Sequence, residues 1–594
     1  METTRGPLGF TIPVQSLSSS REVKMTPNDV MEWRNHLPMA DLGVSAKKVF
    51  HTISDCNKVT LGLKERFEIL ELLRTPVQFI SQSLRKHYMN QTSALTKQQW
   101  MIANLAETLQ LEMAMGYKLI IEQLDNNGPA DLKSTILPVV LQRTIHYFTH
   151  ILIRSYQLYS IPPESVWKEL HLVYKHAEKN RLLKQNNLEE DYKRILLLAA
   201  TYPYQWRQSE QDLLYSATES WAKLINIRDD LPNKSKVGCL ALDLNADKPP
   251  TAVVRGLIES TSAGRTLDLQ PLLEHIKELI KTIEPNELQA KISHHNEPEY
   301  VVSTSVLRRL IKEWEKPKPR TTERTQKSEP INVCLGLTAA HYYVNHQKPF
   351  QPTQSTESQD GLGLALSTGG LGLQEEGGNI ESTEIDVSKV SLGSTESTKA
   401  SLYQMLSCHL INQTPEGYGL LWPNDSAYMI QAGDVMGLEK EIDGKKDWLV
   451  CVIRWLQRTS QNELKVGVDC LAKTAKAGAA QLIKNNVPAG YYLRCLIVNS
   501  TVLVPILPFK SGSKINIVLN GNGDSNQMDV ELTELVDSTG SYKQFNFITK
   551  EDAATKTPPP STPSPQEKPP TKEEPPTDQG PANPDGFDSI WSNL

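Results

Sequence analysis

The spacing of apolar residues changes near residue 300, and this change divides the chain into two kinds of structure. Up to that point, apolar side chains recur every three or four residues, as at Phe67, Leu70 and Leu73, with charged residues between them. This spacing is typical of amphipathic helices packed on a common core. Beyond it, short β-branched and aromatic runs are bounded by Gly, Asn, Asp and Pro, which is typical of strands. The sequence therefore predicts a multidomain α + β protein with an all-α helical domain over residues 1–300.

Two features of the helical region bear on how its helices end and pack. Pro76 is predicted to end the helix that contains Leu70, because the residue before a proline is pushed out of the α conformation. Trp167, Leu170 and Tyr174 match the opening of a tetratricopeptide repeat. The pattern is not repeated about 34 residues later, so an ordinary helical bundle core is favoured over a repeat solenoid.

The strand-like part of the chain predicts an antiparallel β-barrel over residues 301–478. Several short strands in succession favour a closed sheet. The first group of predicted strands covers residues 331–337, 403–411, 417–422, 448–455 and 464–470. A second group covers residues 491–498, 502–507, 515–519, 528–536 and 542–547. This second group either extends the barrel or forms an additional β module over 479–550, and the pattern leaves both possibilities open.

Two polar segments do not carry enough apolar side chains to fold alone, and both are predicted to be disordered. One is an insertion at about 349–400, and the other is a proline-rich tail at 551–594. The tail ends in apolar residues spaced as on one face of a short amphipathic helix, which is a pattern that docks into a groove on a partner protein. Packing back on the same chain remains the alternative. The tail residues in question are Phe587, Ile590, Trp591 and Leu594.

Composition excludes several classes of protein. The chain has 63 Lys and Arg against 69 Asp and Glu, a net charge of -6, whereas a protein that coats nucleic acid or an anionic membrane needs a large basic surplus. Its 7 cysteines are scattered and contain no Cys-x-x-Cys pair, so neither a disulfide framework nor a zinc site is expected. We expect a cytoplasmic protein without membrane insertion, nucleic-acid partner, metal or cofactor.

No catalytic motif is present in the sequence. It has no metalloprotease pair of histidines, no Gly-x-Ser-x-Gly elbow and no phosphate loop that ends in Gly-Lys-Ser/Thr. The expected role is therefore that of a binding protein and not of an enzyme.

The most informative residues form two short motifs. Arg320 and Arg324 lie four residues apart, just ahead of the first predicted strand. Asn412, Thr414 and Gly417 lie at the turn between two later strands. Glycine at the last position permits either a close backbone approach or a positive φ.

In these motifs the chain resembles the PilZ family of cyclic di-GMP receptors. The family signature is R-x-x-x-R before a six-stranded barrel and [D/N]-x-S-x-x-G on the barrel, with threonine replacing the serine here. The segments Gly433 to Leu438, Trp448 to Trp455 and Val466 to Val468 follow in the order of the family's strands. The resemblance covers about residues 318–472. With the helical domain ahead of the barrel, the chain most resembles the large FimW-like type.

The resemblance implies a ligand and the residues that bind it. Cyclic di-GMP carries two phosphates and two guanines, and the planar fork of arginine can bind phosphate oxygens or guanine O6 and N7. The implied binding residues are Arg320, Arg324, Asn412, Thr414 and Gly417. A second R-x-x-x-R pair, Arg454 and Arg458, lies on a predicted strand where the family order has no place for it.

The resemblance also implies a role. The expectation is a non-enzymatic receptor that passes second-messenger binding to protein partners through its helical domain and terminal peptide, in type IV pilus assembly, surface attachment or motility. Recruitment to the cell pole belongs to the same expectation. The alternative is a PilZ-like scaffold that gathers proteins and binds no nucleotide.

Overall fold

A computed structural model describes most of the chain, with gaps. The described residues are 2–16, 23–89, 95–230, 237–252, 263–282, 289–292, 300–315, 324–350, 403–423, 429–442, 445–459, 463–485, 487–519 and 526–549. Several sequence predictions lie outside these residues and stay predictions. They concern Arg320, the insertion beyond Phe350, and the tail with Phe587, Ile590, Trp591 and Leu594.

The N-terminal region is a bundle of helices around one large apolar core, covered at one side by a short hairpin of β1 (Thr3–Arg5) and β2 (Thr11–Pro13). The helices are α1 (Pro27–Asn35), α2 (Leu42–Lys58), α3 (Leu63–Arg85), α4 (Lys97–Asn127), α5 (Ala130–Gln157), α6 (Val166–Lys179), α7 (Leu188–Ala200) and α8 (Gln208–Trp221). Helix α5 is long and apolar enough to cross a membrane by length and composition alone. Because 72% of its most apolar stretch is buried, α5 has the features of a core helix.

The prediction that Pro76 ends a helix is wrong, because α3 continues through it to Arg85. A proline inside a helix costs about 3 kcal/mol. Val77 and Ile80, which follow it, are completely buried on the same bundle core as Leu73. Burying two such side chains stabilises the fold by about 3–6 kcal/mol, which offsets the cost of the proline.

Trp167, Leu170 and Tyr174 all lie on α6 and are buried in the bundle core. The ring of Tyr174 stacks on that of Tyr192 in α7, with 4.4 Å between centroids. These side chains therefore serve the packing of adjacent helices.

Between the bundle and the first barrel lies a small sheet that the apolar spacing did not predict, inside the range 1–300. It has the order β3-β6-β4-β5, and a separate pair β7-β8 follows. The strands have only two to five residues, too few for alternation to stand out from the helical pattern around them. The elements are β3 (Asn226–Arg228), β4 (Cys239–Asp243), β5 (Thr251–Ala252), β6 (Gly264–Asp268), α9 (Gln270–Thr282), β7 (Gln289–Ile292), β8 (Tyr300–Ser303) and α10 (Thr304–Glu315).

The first barrel is closed and antiparallel, with the order β10-β11-β14-β13-β12-β9. Its first strand begins at Thr325, six residues earlier than predicted, and so directly follows Arg324. The elements are β9 (Thr325–Leu335), α11 (Gly336–Val344), β10 (Met405–Gln413), β11 (Gly417–Trp422), β12 (Val435–Ile442), β13 (Lys445–Arg458) and β14 (Leu464–Ala472).

The long insertion does not interrupt this barrel. Strand β9 pairs directly with β10, from Cys334 opposite Met405 to Thr325 opposite Gln413. Close to where the described chain stops and resumes, the ring of Tyr342 on α11 stacks on that of Tyr403, with 4.0 Å between centroids. The points of exit and return are therefore held together beside the barrel.

The second group of strands forms a barrel of its own, which decides the alternative left open by the sequence. Its order is β15-β16-β17-β20-β19-β18, again closed. Strand β15 was not predicted because it is rich in alanine, a residue depleted in strands. The strands are β15 (Ala475–Lys484), β16 (Val487–Val498), β17 (Thr501–Val504), β18 (Lys514–Leu519), β19 (Asn526–Ser538) and β20 (Lys543–Thr549).

The three large units are packed against one another. Outer-face residues of the two barrels share one apolar cluster, which includes Trp448 and Val450 from the first and Leu503 from the second. Arg207, at the start of α8 in the bundle, reaches both barrels. Its guanidinium lies 2.8 Å from Asp434 Oδ1 and 2.6 Å from the Ser541 hydroxyl.

Candidate functional site

The barrel brings Arg324 of the first sequence motif beside the second motif. In the β9–β10 ladder, Gln326 lies opposite Asn412 and Thr325 lies opposite Gln413. Neighbouring strands are about 4.8 Å apart. Arg324, directly before β9, therefore lies beside Thr414, although many residues separate them in sequence.

A β-bulge turns Asn412 to the outside of the barrel. Cys408 and Leu410 of the same strand point into the barrel core, and strict alternation would send Asn412 there too. The ladder shifts between Leu410 and Asn412, which inserts one residue and reverses the direction of the next side chain. Asn412 consequently covers Gly419 on the outer face, where a Cβ at Gly419 would lie only 2.6 Å from Asn412 Oδ1.

The turn between β10 and β11 is held by its own hydrogen bonds. The backbone N–H of Thr414 donates to the carbonyl oxygen of Gly417 at 2.8 Å, and the Thr414 hydroxyl donates to the same oxygen at 3.3 Å. The φ of Gly417 is not positive. Instead, a Cβ there would lie 2.7 Å from the backbone oxygen of Val468, so glycine is required for a close backbone approach.

The row of outward-facing residues that begins with Asn412 and Gly419 continues across two further strands. Gly419 faces Gly467 on β14, and Gly467 faces Trp455 on β13. A second register shift, between Ile453 and Trp455, accompanies the outward position of the indole, which lies directly over Gly467. We call Asn412, Gly419, Gly467 and Trp455 the glycine shelf. It is a row across four strands in which the side chains of Asn412 and Trp455 lie over the two glycines.

Arg324 supplies positive charge at the edge of the glycine shelf. Its side chain is exposed, and partial desolvation lowers the pKa of its guanidinium from the ordinary value. Among the residues that the structure describes, no carboxylate forms an ion pair with Arg324. A guanidinium starts from a pKa above about 12, so Arg324 remains a cation available to an anionic ligand.

The second arginine pair has a different role. Arg454 binds two carboxylates at 3.0 Å, Asp469 on β14 and Asp537 on the second barrel. Arg458 is buried, its Nε donates to the carbonyl oxygen of Leu158 at 3.2 Å, and burial lowers its pKa to about 10. Both arginines hold the units of the molecule together.

Sequence reasoning missed part of this surface. Gly419, Gly467 and Trp455 were not among the predicted site residues. A signal for the two glycines exists, because each interrupts a strand pattern at an outward position, in Gly-Tyr-Gly and Val-Gly-Val. Glycine inside a strand often marks a close approach by a ligand or another backbone.

Comparison with known proteins agrees with this architecture. Three family models match in succession: "Cyclic-di-GMP receptor FimW, N-terminal domain" over residues 28–232, "Cyclic-di-GMP receptor FimW, middle PilZ domain" over 239–477, and "FimW C-terminal beta-barrel domain" over 478–549. The chain belongs to the FimW family. It is 28% identical to "Cyclic-di-GMP receptor FimW" of Pseudomonas aeruginosa over 636 aligned positions that cover all of both chains. No solved structure matches the chain.

The FimW family models divide the chain much as the fold does. The middle model contains β4, β5 and β6 of the small sheet and the whole first barrel, which we now call the PilZ barrel. The last model contains nearly all of the second barrel, which we call the C-terminal barrel. Asn412, Thr414, Gly417 and the glycine shelf lie in the PilZ barrel, and Arg324 directly precedes its first strand.

Proposed function

We propose that this FimW-family protein is a non-enzymatic receptor for cyclic di-GMP, which binds on the outer face of the PilZ barrel. The proposed ligand-binding residues are Arg320, Arg324, Asn412, Thr414 and Gly417, with the glycine shelf beside them. The name of the Pseudomonas aeruginosa relative as a cyclic di-GMP receptor supports the choice of ligand.

One observation carries the proposal more than any other. The pairing of Gln326 with Asn412 puts Arg324, two residues before Gln326, at the same edge of the PilZ barrel as the Asn412 turn. Residues on either side of a long insertion thus lie next to each other. A degenerate scaffold would not require this juxtaposition.

The chemistry of the surface suits a guanine dinucleotide. The exposed guanidinium of Arg324 can bind a phosphate or the O6 and N7 edge of a guanine in bidentate fashion. The amide of Asn412 offers both a donor and an acceptor. From Asn412 to Trp455 the glycine shelf spans three strand spacings, or about 14 Å, with the Asn412 amide lying over Gly419 and the Trp455 indole over Gly467. The indole of Trp455 can stack on a guanine ring.

Ligand binding has a direct route to the helical bundle. The segment that carries Arg320 and Arg324 joins α10 to β9. Helix α10 packs on the bundle, where the Trp314 indole N–H donates to the Ala200 carbonyl oxygen at 3.0 Å and Arg309 donates to the Gln205 carbonyl oxygen at 2.8 Å. Arginines drawn to a ligand therefore change the tether between bundle and barrel, which is a known kind of switch.

The proposed output is binding of protein partners in the cytoplasm, in pilus assembly, surface attachment or motility at the cell pole. The proposed partner surfaces are the helical bundle and the terminal peptide with Phe587, Ile590, Trp591 and Leu594. Deletion of residues 586–594 is expected to reduce partner pull-down and leave nucleotide affinity unchanged. Unchanged pull-down would remove the peptide from the proposal.

Calorimetry with the full chain tests the ligand and the site together. Arg324→Ala removes a charge-assisted contact and is expected to weaken cyclic di-GMP binding roughly 10-fold to 100-fold. The matched control is Arg308→Ala, which removes an exposed arginine of α10 and is expected to leave affinity unchanged. GTP and cyclic di-AMP serve as ligand controls.

Two results would contradict the proposal. Equal affinities of wild type and Arg324→Ala would remove Arg324 from the site. Absence of any cyclic di-GMP binding by the wild type at high protein concentration would favour the scaffold alternative.

A further inference from the structure

Two cysteines lie opposite each other inside the PilZ barrel. Cys451 on β13 is the cross-strand partner of Cys470 on β14, and both side chains contact the barrel core. Cys451 is completely buried, whereas Cys470 is partly exposed. The Cys470 thiol donates to the Ala472 carbonyl oxygen at 3.3 Å. The other five cysteines, which are buried, are Cys56, Cys239, Cys334, Cys408 and Cys495.

The backbone geometry is compatible with a bond between the two sulfur atoms. Residues directly opposite in an antiparallel pair have Cα atoms about 4.5–5.5 Å apart. Disulfides require a Cα separation of about 4.4–6.8 Å. The pair Cys451 and Cys470 therefore needs no rearrangement of strands to become linked.

The environment distinguishes an attacking thiol from a resolving one. The neighbouring Cys451 thiol, together with Lys473 and Lys440, outweighs partial burial and lowers the pKa of Cys470 from its ordinary value. The neighbouring Cys470 sulfur and complete burial raise the pKa of Cys451. Cys470 thus combines a lowered pKa with solvent access, next to a buried partner thiol, and this combination is characteristic of redox-sensing cysteines.

We propose that Cys451 and Cys470 form a reversible disulfide when the protein meets a hydroperoxide. The Cys470 thiolate attacks the terminal peroxide oxygen, the O–O bond breaks, and an alcohol or water leaves as Cys470 becomes a sulfenic acid. The Cys451 sulfur then attacks the Cys470 sulfur, the S–O bond breaks, and water leaves with the Cys451 proton. Two thiols and one hydroperoxide give one disulfide, one alcohol or water, and one water. A dithiol reductant reverses the change.

The disulfide would act on the nucleotide-binding turn, and this part of the inference rests on the proposed function. The backbone N–H of Cys470 donates to the carbonyl oxygen of Glu416 at 2.8 Å. Glu416 lies between Thr414 and Gly417, and Gly417 pairs with Asp469, the neighbour of Cys470. A disulfide fixes the Cys470 side chain on Cys451 and so constrains the strand position from which the Cys470 N–H reaches Glu416. The oxidised form is therefore expected to bind cyclic di-GMP more weakly.

Peptide mapping of the full chain tests the chemistry without any nucleotide. The protein is treated with a small excess of hydrogen peroxide, alkylated and digested without reductant. The expected product is a peptide pair linked through Cys451 and Cys470, which a dithiol reductant separates. Cys451→Ala is expected to trap a sulfenic acid on Cys470 that dimedone labels, and Cys470→Ser to abolish both products. Cys408→Ala, which removes another buried cysteine of the same barrel core, is expected to behave as wild type.

Absence of the linked peptide would overturn the proposal, as would a link that persists in Cys470→Ser. Calorimetry on the oxidised and reduced forms then tests the coupling, with an expected loss of affinity of about threefold or more on oxidation. Equal affinities would overturn the coupling to the turn. If neither form binds cyclic di-GMP, the proposed function fails, and the peptide map still decides whether the disulfide forms.

Discussion

The PilZ barrel and the C-terminal barrel have the same topology and use the same part of their surface in opposite ways. Taking each set of six strands in chain order, both close in the cyclic order one, two, three, six, five, four. Each barrel also has a register shift on its fifth strand, between Ile453 and Trp455 in the PilZ barrel and between Leu535 and Asp537 in the C-terminal barrel. The glycine shelf of Asn412, Gly419, Gly467 and Trp455 corresponds to the row Leu496, Leu503, Gln544 and Asp537 in the C-terminal barrel.

This second row is not available to a ligand. Leu496 and Leu503 are completely buried in the apolar cluster between the barrels. Gln544 donates to the Thr501 hydroxyl, and Asp537 binds Arg454 of the PilZ barrel. A barrel that uses this row to pack on a neighbour thus lies beside one in which Asn412 and Trp455 stay partly exposed. The comparison teaches that the fold alone assigns no function. The two barrels share a topology, and the candidate site differs from the interface in having two glycines and an asparagine in this row.

The largest expected difference in stability is between two alanine substitutions at corresponding positions of the two barrels. Leu496→Ala removes a buried side chain from the interface and is expected to destabilise the protein by about 2–5 kcal/mol. Asn412→Ala, at the corresponding position of the PilZ barrel, is expected to cost less than about 1.5 kcal/mol of stability and to weaken cyclic di-GMP binding. Urea denaturation and calorimetry measure the two effects. Similar stability losses in both variants would contradict the assigned difference between the rows.

Arg454→Ala should have a smaller effect, one that depends on pH. Burial opposes ionisation of Asp537, but Arg454 and a hydrogen bond from Tyr542 outweigh it and lower the pKa of Asp537 below its ordinary value. A carboxylate with a lowered pKa stabilises the fold above its unfolded pKa, about 3.9, and this contribution is lost as the pH falls through its folded pKa.

The wild type should therefore exceed Arg454→Ala in stability by about 1 kcal/mol at neutral pH, since the ion pairs are partly exposed. The difference should shrink below about pH 4. Thermal unfolding at several pH values measures it. A difference that is constant with pH would show that Arg454 contributes packing and not charge.

Much of the fold could be predicted because it depends on local patterns. The change of apolar period separates bundle from barrels, and the resemblance to the PilZ family supplies six strands in order. The prediction of secondary structure from the apolar spacing failed where long-range packing overrides a local conformational preference. Pro76 remains helical because Val77 and Ile80 are buried beyond it, and alanine-rich β15 is a strand because two neighbouring strands pair with it.

The candidate site was predictable in its residues but not in its arrangement. Asn412 was named from the motif, yet only the bulge after Leu410 directs it outwards. Trp455 was missed because alternation from Ile453 would send it into the core, and a second register shift lies between those residues. A one-residue bulge reverses the side of the sheet to which the following side chains point. It leaves no clear signal in the amino-acid sequence.

Hydrogen–deuterium exchange of the full chain with and without cyclic di-GMP tests the central claim most directly, because it compares both barrels in one experiment. Ligand on the glycine shelf should slow exchange in peptides that contain Arg324 and in the turn from Asn412 to Gly417. Peptides from the corresponding row, around Leu503 and Gln544, should be unchanged. Protection confined to the C-terminal barrel or the helical bundle, with none at the Asn412 turn, would contradict the account.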